Sequence, residues 1–155
     1  MDDEIIDVNI EKPIYKKSHI QLATFFGGPL AIVYILSENF KQLGYPEKVK
    51  KTWIFGIAFC ILFFAAVFII NPSGKSPNFL IPLISILIGT AIMQSWQGED
   101  IKNHIEQGGP VYSIWRALLI GIICLVITMV FLIILLLILF NVFGFPLRNY
   151  TSLRK

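Results

Sequence analysis

Polar and apolar positions along this chain are segregated into blocks. Four stretches, residues 20–36, 53–70, 79–96 and 117–140, hold 17, 18, 18 and 24 residues, and no Asp, Glu, Lys or Arg falls inside any of them. An ionised side chain is costly at the centre of a bilayer, and about 20 mainly apolar residues are needed to cross one as a helix. The pattern therefore predicts an all-α integral membrane protein, an antiparallel bundle of four transmembrane helices. In the last stretch residues 131–140 are apolar on every side, as a helix with much lipid-facing surface should be. A polar N-terminal tail, residues 1–17, precedes the transmembrane domain, residues 18–146, and a basic tail, residues 147–155, follows it.

Capping and breaking residues sharpen these elements. Ser18 is a candidate cap for a first helix that runs past its apolar part through Glu38 and Lys41 to a stop at Gly44 and Pro46. Gly27-Gly28-Pro29 interrupts that helix, and Pro29 should kink it or make it re-entrant; a full span is the favoured reading. The second helix is expected from Pro46 to Asn71. The third starts near Pro77 and leaves the bilayer at Trp96, with Gly98 to Gln107 forming a separate short polar helix edged by Ile101 and Ile105. After Gly108-Gly109-Pro110 the fourth helix begins near Tyr112 or Ser113, and Asn141, Gly144 and Pro146 end it. Four crossings place both termini on one side.

Tryptophan and tyrosine favour the membrane interface. Trp53, Trp96 and Trp115, with Tyr45 and Tyr112, fall at one side under this threading, as interface anchors. Lys41, Lys48, Lys50, Lys51, Lys102 and Arg116 gather there as candidate headgroup contacts. The other seven cations fall opposite, so the positive-inside rule leaves orientation open. Inside lipid, helices associate through close backbone approach at small residues. Ala23, Gly27 and Ala31 on the first helix, Gly56 and Cys60 on the second, Ser85 and Gly89 on the third, and Ala117 and Gly121 on the fourth are the expected packing positions.

Composition changes the picture mainly by exclusion. The 155 residues are 55% hydrophobic and 15% charged, with mean hydropathy +0.72 and net charge +3. That charge suits anionic headgroups and gives no nucleic-acid footprint. The acidic start Met1-Asp2-Asp3-Glu4 is unlike a signal peptide, so the first helix is expected to remain in the mature protein. Cys60 and Cys124 each lie inside an apolar run and read as packing residues. The apolar runs hold no ionisable carboxylate or amine, which weighs against a proton-coupled carrier. Gly74-Lys75-Ser76 imitates a phosphate-binding loop, but Ile69 occupies the place of its earlier glycine. Asp100 and His104, four residues apart, are the weak candidates for a metal, with His19 expected on the opposite side; a solvated connector explains the same residues and is the preferred reading, and no metal, cofactor or catalytic residue is assigned.

The segment Phe25-Phe26-Gly27-Gly28-Pro29-Leu30-Ala31, then Asn39-Phe40-Lys41-Gln42-Leu43-Gly44, and later Gln97-Gly98, His104 and Gly108-Gly109, resembles a group of small uncharacterised bacterial membrane proteins with FFGxPLA and N[FY]KxLG segments. The resemblance implies a bacterial, integral, single-domain protein in which Gly27, Pro29, Asn39 and Gly44 matter, and it supplies no active site. The expected function is a non-catalytic accessory or scaffold subunit in the bacterial inner membrane, whose partners are the bilayer and a second copy or another membrane protein. A small channel or carrier beside the broken first helix, using Thr24, the Gly27 to Pro29 backbone and Gln94, is the alternative. A membrane-embedded enzyme at the connector from Glu99 to Glu106 comes third.

Overall fold

The computed structural model describes residues 12–70 and 80–143, which form four helices: α1 (Lys17–Gln42), α2 (Pro46–Ile70), α3 (Leu80–Glu106) and α4 (Ile114–Phe143). Three of them, α1, α2 and α4, are long and apolar enough to cross a membrane. The expected start at Pro77 and the Asn71 to Gly74 and Gly144 to Pro146 stops lie outside the described residues. The helix cap sits at Lys16 rather than Ser18, with the Lys16 backbone N–H donating to His19 Nδ1 at 3.4 Å. Gly98 does not interrupt α3, which runs on unbroken to Glu106. The separate connector helix is thus corrected to the water-facing end of one long helix, in which a single glycine costs only about 1 kcal/mol.

The largest departure from expectation is α1. A continuous helix would hold residues 17 and 39 about 33 Å apart. Instead the Tyr15 backbone N–H donates to Asn39 Oδ1 at 2.7 Å, and Asn39 Nδ2 donates to the Tyr15 carbonyl at 2.8 Å. Both ends of α1 therefore lie at the same place, and the helix folds back on itself as a hairpin. The reversal is at Gly28, whose φ of 60° and ψ of −150° belong to a region open essentially to glycine alone. Pro29 then opens the returning half, where its fixed φ and missing N–H do no harm. The outward half, residues 17–27, is about 16 Å long and the return, residues 29–42, about 21 Å, against about 30 Å of hydrocarbon. Neither half is long enough to cross the hydrocarbon by itself, so the expected full first span is corrected to a helical hairpin.

The other three helices stand around this hairpin. Each packs on α1, and among the described residues they scarcely touch one another. The outward half lies along α4: an added Cβ at Gly121 would come within 2.9 Å of the Ala23 carbonyl oxygen, and one at Gly27 within 2.8 Å of Cys124 Cβ and of the Gly121 oxygen. The return half lies against α2 and α3, where side chains at Gly56 and Gly89 would run into Val33 and Ile32. Ile20, Ala23, Ala31, Ile32, Ile35 and Leu36 form the buried centre with Met93, Ala117 and Cys124. Beyond the tip, α4 presents Val126, Phe131, Ile133 and Leu137 outward, all more than half exposed, as a surface that meets lipid would.

Candidate functional site

The polar chemistry of the described residues concentrates where both ends of the hairpin meet, here called the basal end. Asn39 is fully buried there and makes three hydrogen bonds: besides its two bonds to the Tyr15 backbone, Nδ2 donates to Gln97 Oε1 at 3.2 Å. Gln97, almost fully buried on α3, donates through Nε2 to the Leu36 carbonyl at 2.8 Å. Two side chains thus join the start of α1, its end, and α3.

A second set of bonds ties in α4. The Ile14 N–H donates to the Pro110 carbonyl at 3.2 Å, and the Tyr112 N–H donates to the Ile14 carbonyl at 3.0 Å, one isolated pairing of the segment before α1 with the segment before α4. The Tyr15 and Tyr112 rings stack with centroids 4.3 Å apart, and the Arg116 guanidinium lies 4.0 Å from the Tyr112 centroid. Gln42 Nε2 donates to Glu38 Oε1 at 2.7 Å and to the Tyr112 hydroxyl at 3.3 Å. Burial pushes the Tyr15 phenol up to about 12, against a partial offset from the nearby Arg116 charge. Burial also raises Tyr45 and Tyr112, the latter with help from the Glu38 carboxylate.

On the flank between α2 and α3, over the end of α1, is an open cavity of about 320 Å³ lined by Phe40, Lys48, Lys51, Thr52, Phe55 and Trp96. Lys48 Nζ is 3.9 Å from the Tyr45 ring centroid and 5.4 Å from that of Phe40, a cation held over aromatic faces. Thr52 turns inward and donates to the Lys48 carbonyl at 2.8 Å.

The residues singled out from sequence distribute as follows. Trp53, Trp96 and Trp115 and Tyr45 and Tyr112 all stand at the basal end, as do Lys41, Lys48, Lys50, Lys51, Lys102 and Arg116, all six exposed. Lys102 pairs with Glu106 at 3.8 Å. Because α1 doubles back, Lys12, Lys16 and Lys17 join them rather than facing the opposite side. Ala23, Gly27, Ala31, Ser85, Gly89, Ala117 and Gly121 are buried, with Gly56 and Cys60 half-buried. The glycines at 56, 89 and 121 each meet α1 rather than a second molecule. His19 is at the same end as His104, not opposite it. His104 is buried with Nε2 3.1 Å from the Pro110 oxygen, and a side chain on Gly109 would strike its ring. No three His, Cys, Asp or Glu side chains converge among the described residues. Gln94 on α3 is exposed, away from the half-helix break that it was expected to line. Reading the sequence missed Tyr15 and Gln97 as partners of Asn39; the available signals were the Asn39 and Gln97 segments already singled out by resemblance.

No family model, curated protein or solved structure matches the chain.

Proposed function

We propose that the protein is a non-catalytic accessory or scaffold subunit of a bacterial inner membrane, working through its helix surfaces. In this reading α3 makes a full crossing as well. Both α2 and α4 start at the basal end, so the chain must return between them, and α3 is the segment that does so. The resulting frame has three crossings around a half-depth hairpin. One observation carries the scaffold role: the glycines at 56, 89 and 121 face α1, which leaves broad uncharged outer faces on α2 and α4. Such a frame is built to present helix surfaces. A photo-crosslinking residue at Leu62 on α2 and at Ile133 on α4, irradiated in native membranes, should give a discrete protein adduct at one face. Lipid adducts alone at both positions would overturn the reading.

One observation favours a channel or carrier as the second reading. The Thr24 hydroxyl is completely buried with no hydrogen-bond partner, one turn before the break at Gly28. Non-helical backbone at membrane depth is tolerated where it is buried in protein or lines a wet path. Vesicles carrying the purified protein should show no ion flux above protein-free vesicles. Flux that disappears in Thr24→Val would establish this second reading and remove the first.

A further inference from the structure

We infer that the cavity between α2 and α3 is a binding site for one anionic phospholipid from the leaflet at the basal end, its phosphate held by Lys48 and Lys51 and its upper chain laid against Phe55 and Trp96. The residues at 48, 51, 52 and 55 share one face of α2, since positions three and four apart stack on a helix. That face grades from charge to hydrocarbon in the direction in which the helix enters the bilayer. Phe40 closes the floor, and Trp96 of α3 forms the opposite wall at interface height. The wall is almost wholly apolar, lysine stems and aromatic rings, with the two lysines at its polar rim, an order that matches a lipid with a negatively charged head.

The cations are free to act. Among the described residues neither Lys48 nor Lys51 has a carboxylate within ion-pair distance, whereas Lys102 has Glu106. Lys48 is oriented by the Tyr45 and Phe40 rings, which hold its Nζ at the rim. Phe55 and Trp96 are both more than half exposed on the membrane-facing flank, so an acyl chain reaches them from the bilayer. At about 320 Å³ the space accepts a phosphate with its glycerol and the first methylenes, leaving the rest of the chains in the leaflet. A zwitterionic lipid would place its own ammonium against the two lysines, so the site selects for net negative charge.

The test is native mass spectrometry of the full chain in neutral detergent, titrated with phosphatidylglycerol or phosphatidylcholine. A single phosphatidylglycerol adduct should form in preference to phosphatidylcholine. Its apparent affinity should fall about tenfold or more in Lys48→Gln/Lys51→Gln, as loss of two basic contacts near a membrane surface implies. Lys50→Gln/Lys102→Gln removes the same charge from the same end outside the cavity and should change it less than about twofold. Trp96→Ala should weaken the adduct while leaving every cation in place. Equal losses in the two double variants would reduce the effect to diffuse attraction and overturn the site. Displacement of the lipid by equimolar glycerol phosphate would overturn the bilayer as the source of the ligand. Lys51 is exposed, so Lys51→Gln alone reports on the site if the double variant unfolds.

Discussion

At the scale of single residues, Asn39 joins three separate parts of the chain, the segment before α1, the end of α1 and α3. Its amide satisfies a backbone donor and a backbone acceptor at Tyr15 and reaches Gln97, all away from water. Asn39→Ala would strand those groups, at a cost of about 2–4 kcal/mol for unsatisfied buried polar atoms. The thermal midpoint in detergent should drop by roughly 5–15 °C. Asn39→Asp keeps the acceptor but loses both donations and buries a charge, so it should be at least as damaging. Tyr15 gives a second handle. Its folded phenol ionises near 12 and its unfolded one near 10, so the folded state holds the proton longer. Its contribution is complete below pH 10 and is lost as pH climbs through about 12. Wild type should therefore lose stability over that window more steeply than Tyr15→Phe, measured as midpoint against pH.

At the scale of elements, α1 shows which features local patterning can and cannot reveal. The start of α2 at Pro46 was legible because proline acts on the backbone within a residue or two. That three helices are long and apolar enough to cross a membrane was legible because it depends only on where charges are missing. The hairpin was not, since a 17-residue apolar run with Gly27-Gly28-Pro29 at its middle satisfies the requirements of a bent span and of two half-helices alike. The choice is made by bonds between residues 24 positions apart, to which hydropathy is blind. The same distance in sequence hides the cavity, whose lining comes from three helices. Gly28→Leu tests the turn: a side chain at φ of 60° and ψ of −150° costs about 1–3 kcal/mol or forces the halves to straighten. Straightening would pull Tyr15 from Asn39. The variant should keep its helical circular dichroism while spin labels at the exposed positions 17 and 41, which leave Tyr15 and Asn39 in place, move apart relative to the wild-type background. Gly56→Leu and Gly121→Leu belong with it, because their neighbours are Val33 and Ala23 of the same chain. Each should unfold the protein rather than release an otherwise intact partner, seen as aggregation on size exclusion.

For the molecule as a whole, the hairpin redistributes charge. With α1 returning to its starting point, Lys12, Lys16, Lys17, Lys41, Lys48, Lys50, Lys51, Lys102 and Arg116 stand at one end, and the chain leaves α4 at the other. The remaining cations, Lys75, Arg148, Arg154 and Lys155, are outside the described residues and follow the far ends of α2 and α4 in sequence. Nine of the chain's thirteen Lys and Arg residues thus stand at the basal end, and under the membrane reading proposed above the positive-inside rule predicts that this end faces the cytoplasm. Anionic lipids draw juxtamembrane lysines toward a leaflet at about 1 kcal/mol each, which reinforces the same orientation. Reporter fusions check both parts at once. A fluorescent protein joined before residue 12 or inserted at Gly108-Gly109 should fold and fluoresce, and alkaline phosphatase joined after residue 143 should be active only beyond the membrane. Two ends reporting the same compartment would mean that α1 crosses after all. Opposite compartments with the polarity reversed would leave the hairpin standing and show that something other than the nine cations sets the orientation.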